Sequence, residues 1–242
     1  PLLYAAMLDN GTALPAMLFP DVPTYYRDFT PHNYNRTFDG AVPADRVVER
    51  SLNVPSVRML DKYGKENFLA LVRALGFGTI DRSAAHYGLS LILGGAEISL
   101  WDLTSAYMKL AAKLNGRQTI RTPHYDPGGG TAVDAGDIPL SRGAIWLMAN
   151  SISHVARPEE EGEWQYFSSS KKIGWKTGTS YGNRDAWAVG MTPDYAVGVW
   201  VGNCTGEGRP LMTGVGYAAP VLFEVFGLLP KGEWFAEPVG AL

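Results

Sequence analysis

The stretch KIGWKTGTSYGNRDAWAVGMTPDYAVGVWVG, residues 172–202, decides the fold class because its apolar residues alternate, whereas earlier segments show helical spacing. Within it, KIGWKTG, DAWAVGM and YAVGVWVG each predict a β-strand, and Thr192-Pro193-Asp194 predicts a turn between the last two. The later segment AAPVLFEVFGLL predicts an amphipathic helix able to cover the sheet. We therefore expect an α+β fold, in which a helical cluster precedes an antiparallel sheet and one more helix follows.

Helix signals recur through the first 155 residues. PLLYAAMLDNG is typical of the end of a helix, and Pro43 and Pro55 each favour the start of one. Ser99 is predicted to cap a long helix, and Ser141 to start another one. Residues 19–40 are rich in proline, aspartate and aromatic residues and lack a helical period, so they are predicted to form an extended loop.

Composition excludes several classes of protein. The 242 residues, 46% hydrophobic and 19% charged, are typical of a globular protein of one or two domains. The net charge of -3, without a basic stripe, argues against a nucleic-acid partner. A single cysteine, Cys204, excludes an internal disulfide framework and a cysteine-rich zinc site. The four histidines lie far apart without ligand spacing, so we expect no metal and no cofactor.

The chain shows no segment that would place it at a membrane. No apolar run is long enough to cross a bilayer, and no signal peptide is visible. The chain begins with Pro1 instead of methionine, which predicts a fragment or a processed product.

Lys176-Thr177-Gly178, followed by Thr179, is the first candidate site, at the end of a predicted strand. A glycine without Cβ would let a ligand lie against the strand backbone. A lysine charge and a threonine hydroxyl together suit a ligand carboxylate. The alternative is a polar strand end with a solvated charge.

Ser51-Leu52-Asn53 is the second candidate site, and its pattern alone is weak. It could merely end one helix and cap the helix that Pro55 opens. Its interest lies in its combination with a later Lys-Thr-Gly, because penicillin-binding proteins combine a Ser-x-Asn-type element and Lys-Thr-Gly with a Ser-x-x-Lys nucleophile.

Three longer stretches resemble the transpeptidase domain of class A penicillin-binding proteins: DRVVERSLNVPSVRMLDKYG, LILGGAEISLWDLTSAYMKLA and KTGTSYGNRDAWAVGMTPDYAVGVWVGN. The SYGNRDAW variant and the closing AAPVLFEVF most resemble the 1C type. The resemblance covers almost the whole chain, in the same order. It implies that residues 1–242 form a single, partial transpeptidase domain with the fold shared by β-lactamases and D,D-peptidases.

This resemblance implies a serine D,D-transpeptidase that cross-links peptidoglycan through an acyl-enzyme. Its partners would be stem peptides ending in D-Ala-D-Ala, and β-lactams. By the same resemblance, Ser51 would relay a proton and Asn53 would hydrogen-bond the substrate amide. Lys176, Thr177 and Thr179 would hold the terminal carboxylate beside Gly178, and the backbone N–H of Thr179 would be an oxyanion-hole donor.

The chain departs from the family pattern at its start. The resemblance places Ser-x-x-Lys, with the nucleophile, before the stretch PLLYAAML, so we expect it and two N-terminal strands to be missing and the chain alone to be inactive. Ser168-x-x-Lys171 and Ser169-x-x-Lys172 match the letters, but they lead into a strand. Residues three apart on a strand point to opposite faces, so we reject both pairs.

The resemblance also implies a location and leaves alternatives open. The parent protein would act at the periplasmic, outer face of the cytoplasmic membrane, anchored and joined to a glycosyltransferase by segments absent here. Hydrolysis by a D,D-carboxypeptidase or β-lactamase-like enzyme would use the same triplets. A non-catalytic module that binds carboxylates or β-lactams is the remaining alternative.

Overall fold

The computed structural model describes residues 1–27, 29–121, 132–134, 138–158 and 170–240. Its helices are α1 (Leu2–Asp9), α2 (Ala44–Glu49), α3 (Asn53–Tyr63), α4 (Lys65–Ala74), α5 (Ala84–Tyr87), α6 (Leu100–Leu114), α7 (Arg142–Ile152) and α8 (Ala219–Leu228). Its strands are β1 (Leu18–Asp21), β2 (Gly40–Pro43), β3 (Thr119–Arg121), β4 (Ala132–Asp134), β5 (Gly174–Thr179), β6 (Asp185–Met191) and β7 (Ala196–Gly202). A 3₁₀ helix spans Gly88–Leu93, and a π-helical turn, Gly214–Ala218, leads into α8.

The largest described sheet is antiparallel, in the order β5-β6-β7. Gly178 pairs with Trp187, and Trp187 pairs with Trp200 on the next strand. The strands predicted from alternating apolar residues are confirmed, as is the α+β fold class.

Helices cover both faces of this sheet. On one face, Gly198 lies so close to α6 that a Cβ atom there would be 2.0 Å from Thr104 Oγ1. On the other face, a Cβ atom at Gly190 would be 2.9 Å from Phe226 of α8. The predicted cover by the last helix is therefore confirmed, and β5 lies between the helical cluster and α8.

The predicted cap at Ser99 is confirmed, and Ser141 caps the helix that it was predicted to start. Ser99 Oγ accepts a hydrogen bond from the backbone N–H of Asp102 at 3.0 Å. Ser141 Oγ accepts one from the N–H of Ala144 at 3.2 Å. Each bond satisfies a donor that the first turn of a helix leaves without a partner.

Two local predictions were wrong. Residues 19–40 are not wholly loop, because β1 pairs with β2 and buries Phe19 opposite Val42. The proline inside β1 hid this strand, although a proline is tolerated in a two-stranded sheet. In addition, α3 begins at Asn53 and not at Pro55.

Candidate functional site

Lys176 joins the two candidate sites. Its Nζ donates hydrogen bonds to Ser51 Oγ at 2.7 Å and to the carbonyl of Thr177 at 2.9 Å. Burial lowers the pKa of the Lys176 ammonium to about 8, because the charged form loses part of its hydration. This lysine therefore lies much closer to proton exchange at neutral pH than a solvated one.

Ser51 occupies a strained position between α2 and α3. Its φ of 56° lies in the left-handed region, which costs a residue with a side chain about 1–2 kcal/mol. Its side chain does not cap α3, which corrects the simpler reading of this triplet; its Oγ accepts from Lys176 instead. Because Oγ accepts that bond, the hydroxyl hydrogen can be donated to another group.

Asn53 is the first residue of α3, and its amide contacts a loop. Its Nδ2 donates to the carbonyl of His32 at 2.9 Å, and its backbone N–H donates to Asn33 Oδ1 at 3.0 Å. Among the described residues, no hydrogen bond joins Asn53 to β5. The structure therefore brings Ser51 into contact with Lys176, and it places Asn53 two residues beyond that contact.

Thr177, Gly178 and Thr179 continue β5 beyond the lysine. Thr179 is exposed, and its Oγ1 accepts a hydrogen bond from the N–H of Gly214 at 3.0 Å, which leaves its hydroxyl hydrogen for a ligand. A Cβ atom at Gly178 would meet only Trp187 Cβ, at an ordinary 3.6 Å. The protein fold itself therefore does not require a glycine at this position.

The backbone N–H of Thr179 points away from β6. The N–H of Ser180 donates to the carbonyl of Asp185 at 3.0 Å, so this pair is a hydrogen-bonded pair of the ladder. Such pairs alternate with non-bonded ones in antiparallel sheets, and Thr179 pairs with Ala186 at a non-bonded position. Its N–H therefore faces the outer edge of β5, along which no further strand lies in the described part of the chain.

The three tryptophans of the sheet, Trp175, Trp187 and Trp200, lie on two different faces. Trp175 is fully buried and packs edge-on against Phe223 of α8, so it belongs to the core. Trp187 and Trp200 lie on the face that carries Lys176 and Gly178, with ring centroids 6.5 Å apart. Trp187 and Trp200 therefore lie on the same face of the sheet as the candidate-site residues Lys176 and Gly178, whereas Trp175 faces α8.

Sequence reasoning missed the residues that hold the start of α3. Asn33 and Asp21 are buried and bonded to each other, and Asn33 Oδ1 accepts from the first two N–H groups of α3. Neither residue lies in a recognisable local motif. The only signal available was the presence of polar residues in a segment that also contains buried apolar ones.

Ser168 and Ser169, which were rejected as nucleophiles, lie outside the described residues. Within the described ranges, no group of three or more histidine, cysteine, aspartate or glutamate side chains could hold a metal ion. Across the same residues, no helix has both the length and the apolar character needed to cross a bilayer.

The sequence of this chain is similar to a known protein family and to several of its members. The family model for the penicillin-binding protein transpeptidase domain matches residues 1–226. Penicillin-binding protein 1C of Escherichia coli strain K12 is 34% identical over 95% of this chain and 28% of its own length. Penicillin-binding protein 1F of Bacillus subtilis is 29% identical over 98% of this chain and 34% of its length. The chain thus spans about a third of these relatives.

Solved structures share the fold. Penicillin-binding protein 1A from Haemophilus influenzae superposes with a TM-score of 0.76 at 15% identity, over 98% of this chain and 43% of that one. The PonA1 protein from Mycobacterium tuberculosis, solved in complex with penicillin V, superposes with a TM-score of 0.71 at 19% identity, over 96% and 69%.

Proposed function

The chain belongs to the penicillin-binding protein transpeptidase domain family, and from that premise we propose that it forms the substrate-holding part of a serine D,D-transpeptidase. The substrate would be a peptidoglycan stem peptide ending in D-Ala-D-Ala. β-Lactams would bind in its place, and the structure of PonA1 in complex with penicillin V supports such binding. The parent protein would work at the outer face of the cytoplasmic membrane.

One observation carries this proposal: Lys176 Nζ lies 2.7 Å from Ser51 Oγ although 125 residues separate them. A solvated charge at a strand end would have no reason to reach a strained serine. A lysine with a pKa of about 8 can hold a carboxylate as an ammonium and can also exchange protons through the serine hydroxyl. Ser51 would pass such a proton to the departing amine.

The open edge of β5 supports the binding of an extended peptide. A peptide can add to a sheet edge through main-chain hydrogen bonds, with its side chains in adjacent pockets. Along β5, the absence of a side chain at Gly178 leaves room for the peptide backbone. Thr177 and Thr179 share one face of β5, and their hydroxyls would hold its terminal carboxylate. The Lys176 ammonium, which bonds the Thr177 carbonyl at the strand edge, would add positive charge beside them. The Thr179 N–H would then stabilise the oxyanion of the attacked carbonyl.

The reaction needs a serine nucleophile, which family resemblance places in a Ser-x-x-Lys motif before Pro1. Its Oγ would attack the penultimate carbonyl and lose its proton to a base, the C–N bond would break, and terminal D-alanine would leave as the protonated amine. An amine of a second stem peptide would then displace the serine.

Product analysis tests the proposal against hydrolysis. A polypeptide in which this chain follows the Ser-x-x-Lys segment would be incubated with a peptide ending in D-Ala-D-Ala, with and without an amine acceptor. We expect release of D-alanine and, with the acceptor, a new amide product. Release of D-alanine without any transfer product would instead indicate a carboxypeptidase. If no D-alanine is released, the protein would be a module that binds the peptide without reacting with it.

A further inference from the structure

Two buried polar side chains, Asp21 and Asn33, belong to β1 and to the loop that joins β1 to β2. Asp21 in β1 is completely buried, and Asn33 in the loop is 2% exposed. Burying polar groups is costly unless their hydrogen bonds are made, so such a pair requires a structural explanation.

The amide of Asn33 uses all four of its hydrogen-bonding positions. Its Oδ1 accepts from the backbone N–H groups of Asn53 and Val54, at 3.0 and 3.1 Å. Its Nδ2 donates to Asp21 Oδ1 at 2.8 Å and to the carbonyl of Thr37 at 2.9 Å. The Asp21 carboxylate can only accept, so it fixes the amide with Oδ1 toward α3. Asn33 is therefore the cap of a helix that begins 20 residues later.

The same loop contacts the chain on the other side of Ser51. Asp21 Oδ2 accepts from the N–H of Asp39 at 3.0 Å, and Asp39 Oδ2 pairs with Arg50 Nη1 at 2.6 Å. Ser51 thus has a loop contact at the residue before it and another two residues after it. Strained backbone persists where surrounding contacts determine it fully, and the left-handed Ser51 is in that situation.

We propose that Asn33, oriented by Asp21, is a positioning residue that holds Ser51 against Lys176 by fixing the start of α3. This inference rests on the proposed transpeptidase function. Without the Asn33 amide, two α3 N–H groups lose their acceptor, and the first turn of α3 is free to shift. Ser51 can then relax from its left-handed conformation, and its hydroxyl moves away from Lys176 Nζ.

The test measures penicillin acylation in a polypeptide that contains this chain and the Ser-x-x-Lys segment. Rate and affinity are separated by varying the penicillin concentration. For Asn33→Ala we expect the acylation rate constant to fall about 10- to 100-fold, because small misplacements of catalytic groups have effects of this size. The affinity should change by less than about 3-fold, since the β5 groups that hold the carboxylate are untouched.

A helix-cap variant elsewhere provides the control. Ser99→Ala removes the side-chain cap of α6, which is also a single side-chain acceptor at the start of a helix. It should lower the melting temperature and leave the acylation rate constant of the folded protein unchanged. An equal loss of rate in Ser99→Ala and Asn33→Ala would overturn the proposal, because a general loss of stability would then explain both.

Variants that exchange the carboxylate of Asp21 and the amide of Asn33 keep the proposal testable if Asn33→Ala does not fold. Asp21→Asn alone places two amide groups together and should slow acylation about 10-fold. The double variant Asp21→Asn/Asn33→Asp restores an amide–carboxylate pair and keeps an oxygen facing the N–H groups of Asn53 and Val54, but its new carboxylate cannot donate to the carbonyl of Thr37. We therefore expect it to recover part of the rate that the single variant loses. Equal rates in the single and double variants would overturn the positioning role.

These outcomes are distinct from failure of the proposed function. If the function is wrong, the parent polypeptide itself forms no acyl-enzyme. If only the role of Asn33 is wrong, the parent is acylated and the Asn33 and Asp21 variants match it.

Discussion

The two sides of the candidate site are built in opposite ways. On the β5 side, Lys176 and Thr179 extend from a regular strand whose register with β6 continues without interruption. On the other side, Ser51 has a left-handed backbone between two helices, and buried side chains from a distant loop hold the residues around it. The strand side relies on repeating geometry, whereas the serine side relies on particular long-range hydrogen bonds.

This difference predicts how each side responds to substitution. A regular strand tolerates changes at exposed positions, so substitutions on β5 should reduce chemistry and leave folding intact. The serine side holds strain, so substitutions there should alter stability as well. Each of the following variants tests that contrast.

Lys176→Ala should have the largest effect. We expect penicillin acylation to fall about 10³-fold, because the variant loses both the positive charge proposed beside the carboxylate and the proposed proton path through Ser51. The melting temperature should barely change. Lys172→Ala is the matched control, since Nζ of that lysine bonds Asn150 Oδ1 and lies over the Trp234 ring. It should lower stability without slowing acylation, and equal acylation in both variants would support the solvated-charge reading of Lys176.

Gly178→Ala and Gly214→Ala compare a glycine proposed to leave room for a ligand with a glycine that the protein's own packing requires. The added methyl at Gly178 makes only an ordinary contact, so folding should be unchanged while acylation falls about 10- to 100-fold. At Gly214 the methyl would lie 2.6 Å from the carbonyl oxygens of Gly178 and Trp187, which should cost about 1–3 kcal/mol of stability. Thermal melts and acylation rates measure both; a strong loss of stability in Gly178→Ala would contradict the open edge.

Ser51→Gly and Ser51→Ala should differ in stability and agree in activity. Both remove the hydroxyl that accepts from Lys176, so both should slow acylation to the same extent. Glycine adopts a φ of 56° readily and alanine does not, so Ser51→Gly should be about 1 kcal/mol more stable. Denaturant unfolding of the two variants measures this difference. Equal free energies of unfolding would show that the left-handed conformation at position 51 costs no free energy.

Lys176→Met should change the pH dependence of stability. The pKa of Lys176 is about 8 in the folded state and 10.5 as its ordinary value, so the unfolded state binds more protons between those limits. The parent should therefore gain stability as pH rises from 8 to 10.5, and this gain should vanish in the variant. Lys65→Met on α4 is the control, and it should retain the rise.

The same contrast explains which features the sequence could predict. Alternating apolar residues predicted β5, β6 and β7, because a period of two is a local property of a strand. The cap at Ser99 and the helix start at Ser141 were predicted for the same reason, since each serine bonds a residue three positions away. The capping of α3 by Asn33 could not be predicted, because its donors lie 20 residues further along and no spacing rule connects them. The left-handed Ser51 was equally hidden, since serine has no preference for that conformation.

Intact-mass measurement after incubation with penicillin asks whether acylation depends on a serine from a segment before Pro1, the nucleophile that Ser51 and Lys176 are proposed to serve. The 242-residue chain alone should show no mass shift, because loss of a serine nucleophile can cost about 10⁶ in turnover. The same chain preceded by the Ser-x-x-Lys segment should gain one penicillin, mapped by peptide analysis to the serine of that motif. An adduct on the 242-residue chain, at Ser51, Ser168 or Ser169, would contradict the account.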